Sequence, residues 1–258
     1  MRILEICGSP RQEGNTVHIL ELCNQKIQDR YISKDPIVYE IISIYNSNIS
    51  WCQGCRICLH VSEHKCPLKD DLLKIKKKME EADMILIGSP VYVEDISGGM
   101  KNWMDRMAFN CHRPFLMGKP VYVYTTSAAV ASKHAISSVK RAIIAWGGTV
   151  IHSDNYRMGA KMDKEVLEKT YGAMIEKRMQ RMIEAYQRIP VRFYSLIGFG
   201  IQKRYWRRKE HTVDYNYWAK MKWLEPDCIY YKPVQVNFVK KQVAILISKL
   251  IADFFMSR

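Results

Sequence analysis

No stretch of this 258-residue chain runs long enough without charge to span a membrane, so no transmembrane helix is expected. The N-terminus opens straight into the strand-like run Arg2–Cys7, with no basic-then-apolar leader, and a cytoplasmic protein is expected. There is no phosphate loop ending in Gly-Lys-Ser/Thr and no Gly-x-Gly-x-x-Gly fingerprint, which removes the two commonest nucleotide cradles. Nucleic-acid module signatures, internal repeats and low-complexity tracts are absent. So is any Ser/His/Asp or paired-carboxylate constellation for hydrolytic chemistry. Cysteine is not scarce, but its eight positions are uneven. Cys52, Cys55, Cys58 and Cys66 crowd together while Cys7, Cys23, Cys111 and Cys228 are scattered. A secreted disulfide scaffold would be shorter and would spread them.

What is present is an ordinary globular composition, 48% hydrophobic and 26% charged, with a formal net charge of +14. That charge favours acidic or phosphorylated partners without choosing among them. Apolar runs at Arg2–Cys7, Ile37–Ile44, Asp83–Gly88, Pro120–Thr126 and Thr149–Ser153 read as strands. Helical periodicity occupies Asn15 to about Ile27, Asp70–Glu81, Ser97–Met107, Ser132–Trp146 and Lys164–Gln187. Gly147-Gly148 is a helix-ending signal. Strict alternation of this kind implies an α/β three-layer fold. The expected sheet is five-stranded and parallel, in the flavodoxin-like order 2-1-3-4-5, with ligand at the carboxyl ends of the strands. The cysteine loop 50–67 is then an insertion after strand 2. The expected division is 1–188 for this domain and 189–258 for a basic, aromatic C-terminal extension ending in a helix over Val234–Phe255, with Pro233 at its start.

The segment Gly8-Ser-Pro-Arg-Gln-Glu-Gly-Asn-Thr16 falls between the first strand and the first helix. The first turn of a helix leaves its N–H groups unpaired, and the helix dipole adds partial positive charge there. Ser9, Thr16, Asn15 and Arg11 add hydroxyl, amide and guanidinium donors, enough for one terminal phosphate such as that of FMN. A plain strand–helix turn capped by Asn15 would look the same. At Gly88-Ser-Pro-Val-Tyr92, Pro90 fixes a bend, Tyr92 offers a ring face, and the backbone near Val91 offers donors to the polar edge of a flat ring.

Taken together, GSPRQEGNT at 8–16, GSPVY at 88–92 and SGGMKNWMDR at 97–106 resemble the NAD(P)H-dependent FMN reductase-like branch of the flavodoxin superfamily over roughly residues 1–155. The resemblance implies FMN phosphate at Ser9, Arg11, Asn15 and Thr16, and ring contacts at Pro90, Val91 and Tyr92. Many members carry a glycine-rich turn after the fourth strand. This chain has Thr125-Thr-Ser-Ala-Ala-Val-Ala-Ser132 there, whose Cβ atoms would crowd a close backbone approach, so only Thr126 and Ser127 carry over.

The four crowded cysteines form C-x2-C-x2-C-x7-C followed by Pro67, with Gly54 giving the loop room to bend. Tight spacing of soft thiolates suits a [4Fe–4S] cluster; structural zinc and free thiols are the other readings. The spacing also resembles the iron–sulfur flavoprotein subgroup of the same family, in which such a motif holds a [4Fe–4S] cluster beside FMN. His60 and His64 read as surface groups and Trp51 as a shield for the loop. Cys7, Cys23, Cys111 and Cys228 read as small buried apolar residues.

The expected function is an FMN-dependent electron-transfer oxidoreductase fed by NAD(P)H or by an acidic redox protein such as ferredoxin, in a homo-oligomer. The alternatives are an NAD(P)H-dependent FMN or quinone reductase without a cluster, and a nucleic-acid- or membrane-binding flavoprotein using the basic run Lys203–Lys209. For that run, a solvated face with its aromatics tucked against the main domain is favoured. The Val234–Phe255 helix is expected to be buried against the core or a second subunit.

Overall fold

The structure, a computed structural model, describes residues 1–31, 36–130, 132–188 and 191–256. Strand β1 (Arg2–Cys7) leads into α1 (Asn15–Arg30), then β2 (Val38–Ser43). The cysteine loop follows, with a four-residue helix α2 (Ile57–His60) and a 3-10 turn at Glu63–Lys65. Then come α3 (Leu72–Glu81), β3 (Met84–Tyr92), β4 (Asp95–Ile96), α4 (Gly98–Arg106), β5 (Pro120–Ser127), α5 (Lys133–Ala145), β6 (Thr149–Arg157) and α6 (Lys164–Gln187). Three further helices are α7 (Phe193–Arg207), α8 (Val213–Lys220) and α9 (Phe238–Met256).

The main sheet runs β2-β1-β3-β5-β6, all parallel, which is the expected 2-1-3-4-5 order. A two-residue strand, β4, adds a sixth member by pairing antiparallel with the end of β3. The third strand does not break at Ser89-Pro90 as the sequence suggests. It continues to Tyr92, because β1 has ended at Cys7 opposite Gly88 and β3 is by then flanked by one main-sheet strand only, where a missing N–H is tolerated. Cores lie on both faces of the sheet. One packs α3, α4 and α5 around Trp103 and Trp146; the other packs α1 and α6 around Tyr122, Tyr124 and Tyr156.

The residues past α6 gather around their own aromatic cluster of Phe199, Trp206, Trp218, Trp223 and Tyr230. Trp218 and Phe199 meet at a tilt with ring centres 5.4 Å apart, and Trp218 and Trp223 meet edge-on at 5.2 Å. Residues 189–190, at the expected start of the extension, and Ala131, in the turn after the fourth expected strand, lie outside the described residues. The last helix begins at Phe238, later than Pro233 suggests, because Asn237 Oδ1 accepts the Val239 N–H at 2.9 Å and sets the first turn. Among the described residues no helix is long and apolar enough to cross a membrane.

Candidate functional site

Three loops meet at the carboxyl edge of the sheet. Gly8 N–H donates to the Gly88 carbonyl at 2.8 Å, joining the first loop to the β3 end. Gly88 must be glycine: a Cβ there would stand 2.2 Å from Tyr124 Cζ, and Tyr124 is held by its hydroxyl donating to the Thr16 carbonyl at 2.6 Å. Ser97 closes the same edge. Its hydroxyl donates to the Gly8 carbonyl at 2.6 Å while its N–H donates to Ser89 Oγ at 3.2 Å.

Helix α1 starts on Gly14, which offers no side-chain cap, and has no acidic residue in its first turn. Its first N–H groups therefore remain open to an anion. Ser9 Oγ accepts from the Arg11 N–H at 3.1 Å, which folds the loop over that opening. The Thr16 and Thr126 hydroxyls meet at 2.7 Å, both buried, so the first and third loops touch. Ser127 Oγ, on the residue after Thr126, is buried without a hydrogen-bond partner among the described residues. Asn15 is placed differently from the other expected donors. Its amide donates to the Gly159 carbonyl at 3.3 Å and its oxygen accepts from Met162 N–H at 2.9 Å, tying α1 to the loop after β6.

Pro90 is buried, Val91 half-buried and Tyr92 exposed. Sequence reasoning missed the hairpin that follows. Val93 and Glu94 turn the chain between β3 and β4 with φ of 48° and 62°, a left-handed pair that a β-branched residue adopts only under strain. The tip stands in solvent beside the expected ring-binding turn.

The cysteine loop hangs from α4. Asn102 Oδ1 accepts the Cys52 N–H at 3.0 Å, and Arg106 donates to the Ser50 carbonyl at 2.7 Å. Arg106 and Asp70 form a buried two-pronged pair at 2.6 and 3.1 Å. Burial alone would push the Asp70 carboxyl up, but the guanidinium and the Ser50 and Leu72 N–H groups hold it below the usual range. The second guanidinium nitrogen of Arg106 stands 4.0 Å from Cys66 Sγ. Arg113 holds the other side by donating to the Cys58 carbonyl, and pairs with Asp214 of α8 at 2.5 Å and with Glu63 at 3.4 Å.

Gly54 and Arg56 both take left-handed backbone, with φ of 66° and 59°, so the loop coils tightly. Cys52 and Cys55 are exposed, Cys58 and Cys66 half-buried. Burial pushes the Cys58 thiol up, and the sulfurs of Cys66, Cys52 and Cys55 add to it, so all three lie within electrostatic reach of Cys58. Among the described residues, however, no three cysteine, histidine or carboxylate side chains are gathered closely enough to share a metal ion. His60 and His64 are exposed, as expected. Trp51 is not a shield: it is 71% exposed, because Ser50 and Cys52 are both held on α4 and the side chain between them is turned outward. Nothing in the spacing of single charged residues announces Asp70, Arg106, Arg113 or Asp214; their roles follow from the tertiary fold.

Residues 1–162 match the NADPH-dependent FMN reductase family. This chain belongs to that family. An iron–sulfur flavoprotein of Archaeoglobus fulgidus is 31% identical over 148 residues, covering 57% of this chain and 64% of the relative. Another, of Methanocaldococcus jannaschii, is 42% identical over 107 residues, covering 41% of this chain and 51% of the relative. The chain thus spans about half to just under two thirds of the length of these relatives. A solved structure of RosB with a bound intermediate is similar to 92% of both chains, with a TM-score of 0.56 and 12% identity, a likeness of fold that extends beyond residue 162.

Proposed function

We propose that this chain is an FMN-dependent oxidoreductase that passes electrons between a reduced donor, FMN and a [4Fe–4S] cluster on Cys52, Cys55, Cys58 and Cys66. The observation that carries the reading is α4. Its Ser97 end fixes the Gly8 loop, and its Asn102 and Arg106 fix the cysteine loop, so one rigid helix links the two expected sites. The family membership and the iron–sulfur flavoproteins among the relatives support it.

The donor set fits FMN. The open first turn of α1, with Ser9, Arg11 and Thr16 around it, binds the phosphate. Thr126 and Ser127 follow on from it in the third loop, and Pro90, Val91 and Tyr92 take the ring. Asn15 acts by anchoring the loop rather than by touching the phosphate. Bound FMN supplies hydride and one-electron chemistry, while the protein orients it and excludes water. Four soft thiolates would fit a [4Fe–4S] cluster in chemistry, and Cys52, Cys55, Cys58 and Cys66 would hold it and supply a one-electron outlet. Residues 1–188 then form the flavin unit and 189–258 an extension bracing its cysteine loop. Ferredoxin or NAD(P)H is the proposed donor, ferredoxin suiting the positive charge. We place the protein in the cytoplasm, a reducing setting in which thiols stay available to iron.

A second reading, an NAD(P)H-dependent FMN or quinone reductase without a cluster, is favoured by the ungathered cysteines. A nucleic-acid surface on Lys203–Lys209 is not favoured. Lys203 is buried on the carbonyls of Glu225, Pro226 and Cys228, so its charge is spent inside the fold, and the exposed Arg207 is held against the Leu224 carbonyl. Anaerobic purification with iron, sulfide and flavin analysis separates the readings. About four irons and one FMN per chain are expected from a [4Fe–4S] flavoprotein. A yellow, iron-free protein refutes the cluster and leaves the reductase; a colourless chain that does not take up FMN refutes both.

A further inference from the structure

Helix α9 lies close on α7 because its inner face is small. Ala244, Ser248 and Ala252 are buried, and a Cβ at Gly200 would fall 2.5 Å from Ser248 Oγ. A cavity of about 160 Å³ remains between α7, α9 and the loop at 226–229. Leu196, Phe199, Ala244 and Ile245 give it an apolar wall. Lys203, Arg204, Arg207 and Lys241 also line it, and among the described residues no carboxylate does. The dipole of α7 favours Arg204 and Arg207 in its last turn. It does not account for Lys241, at the end of the first turn of α9, where the helix dipole opposes a cation. The Lys241 ammonium meets no acceptor among the described residues. Burial pushes the Lys203 ammonium down, and Arg207 and Arg204 add to the fall. Burial pushes Arg204 down as well, with Asp253 opposing and Arg207 and Arg208 adding. Asp253 is itself held by Arg208 at 3.2 Å. Like charges thus converge on one cavity, and their repulsion is a cost that a bound anion removes.

We propose that this cavity binds a small organic carboxylate, its anionic head on Lys241, Arg204 and Arg207 and its apolar body against Leu196, Phe199 and Ile245. The donors are available. Arg204 donates to Ser248 Oγ at 2.8 Å and to the Gly200 and Ile245 carbonyls, which leaves part of its five-donor fork over. Arg207 uses Nε and one terminal nitrogen on the Leu224 carbonyl and keeps the other. The Lys203 protons all go to the carbonyls of Glu225, Pro226 and Cys228, so it gives the cavity a positive field and no donor. A guanidinium fork matches the two oxygens of a carboxylate. The volume sets the body: a cavity of ~150 Å³ accepts benzene, a body of about six carbons. A bare inorganic anion would leave the apolar wall wet, and a nucleic-acid strand is too large to enter. The lining shares no residue with the Gly8–Thr16 loop or the cysteine loop, so the proposal does not rest on the flavin or cluster reading.

The test is a titration of the full chain with benzoate, followed by amide NMR shifts, with FMN present so that the Gly8–Thr16 loop is not open to the anion. Benzoate is expected to bind with a Kd of about 1 mM or below and to shift amides of 193–207 and 238–256 while leaving 98–106 unmoved. Benzamide has the shape without the charge, and acetate the charge without the body. Each is expected to bind at least about 10-fold more weakly. Lys241→Gln is expected to weaken benzoate at least about 10-fold while leaving the rest of the spectrum in place, because that ammonium holds nothing in the fold. No approach to saturation by about 10 mM benzoate overturns the proposal. So does benzamide binding as tightly as benzoate, which would make the cavity merely apolar, or acetate doing so, which would make it a site for any anion. Unchanged affinity in Lys241→Gln, or shifts confined to other elements, places the ligand elsewhere and overturns it too.

Discussion

Replacing Glu5 by glutamine should stabilise the protein, and by an amount that grows with pH. Glu5 stands on β1 on the same face as Ile3 and Cys7, beneath α1, and is fully buried. Burial pushes its carboxyl up to about 8, with Asn24 pulling it down and Glu21 adding to the rise. Both Glu5 oxygens and Asn24 Oδ1 are without a donor among the described residues. A proton on Glu5 supplies the donor that this pair of acceptors lacks. In the unfolded chain the group titrates near its ordinary 4.5. The folded state therefore holds a proton that unfolding releases throughout the window from 4.5 to about 8. The protonated group's contribution is complete below that window and is lost as pH rises through it, at about 1.4 kcal/mol per pH unit. Glutamine keeps the shape and carries a permanent donor. The Glu5→Gln variant should match the wild type near pH 4.5, exceed it by about 3 kcal/mol at pH 7, and level off at about 5 kcal/mol above pH 8. Urea unfolding across pH 5 to 9 at unchanged m reads this as the difference in midpoints, which cancels every other titrating group. A gap that does not vary with pH would show that Glu5 is ionised in the fold, and the reasoning would fail.

Gly88→Ala should cost about 3 kcal/mol or more, because Tyr124 cannot retreat while its hydroxyl holds Thr16, and thermal unfolding with and without FMN would show it. Val93→Gly should stabilise the chain by about 1 kcal/mol by relieving the hairpin tip, with the flavin dissociation constant unchanged. Asp214→Ala should cost about 3–5 kcal/mol, because it leaves Arg113 buried without its main counter-charge, and amide exchange in residues 52–66 should rise because Arg113 also holds the Cys58 carbonyl.

The sheet order was legible because each strand of the main path is a short apolar run followed by a helical period, and parallel pairing leaves little other choice. Strand ends were less so. Pro90 reads as a stop, and only the neighbouring end of β1 shows why it is not. The Gly8–Thr16 loop was legible as the turn from the first strand to the first helix, but the partners its side chains take were not. Asn15 looks like a phosphate donor until the loop after β6 arrives beside it, an encounter more than 140 residues apart in sequence. The extension's aromatic content was plain, yet periodicity along α9 could not show that its small residues would take the inner face. That choice is made by Gly200 on α7, which admits a close helix and nothing bulkier.

The cysteine loop shows why spacing finds a group of thiols but not its supports. Four thiols within one loop are a local pattern, visible without a fold. What holds them is three distant elements: Asn102 and Arg106 on α4, Asp70 just before α3, and Arg113 tied to Asp214 on α8. From Ser97 to Asn102 is five residues of helix, about 8 Å along its axis. The anchor of the Gly8 loop and the anchor of Cys52 are therefore fixed to one short rod, while Asp214 makes the far side of the cysteine loop depend on the extension. A displacement of α8 reaches Cys58 through a single buried guanidinium, whereas the Gly8 loop, held by Ser97 and Gly88, has no such link. The two loops share α4, but only the cysteine loop also rests on the extension, so loosening the extension should disturb the cysteines and leave the Gly8–Thr16 loop intact.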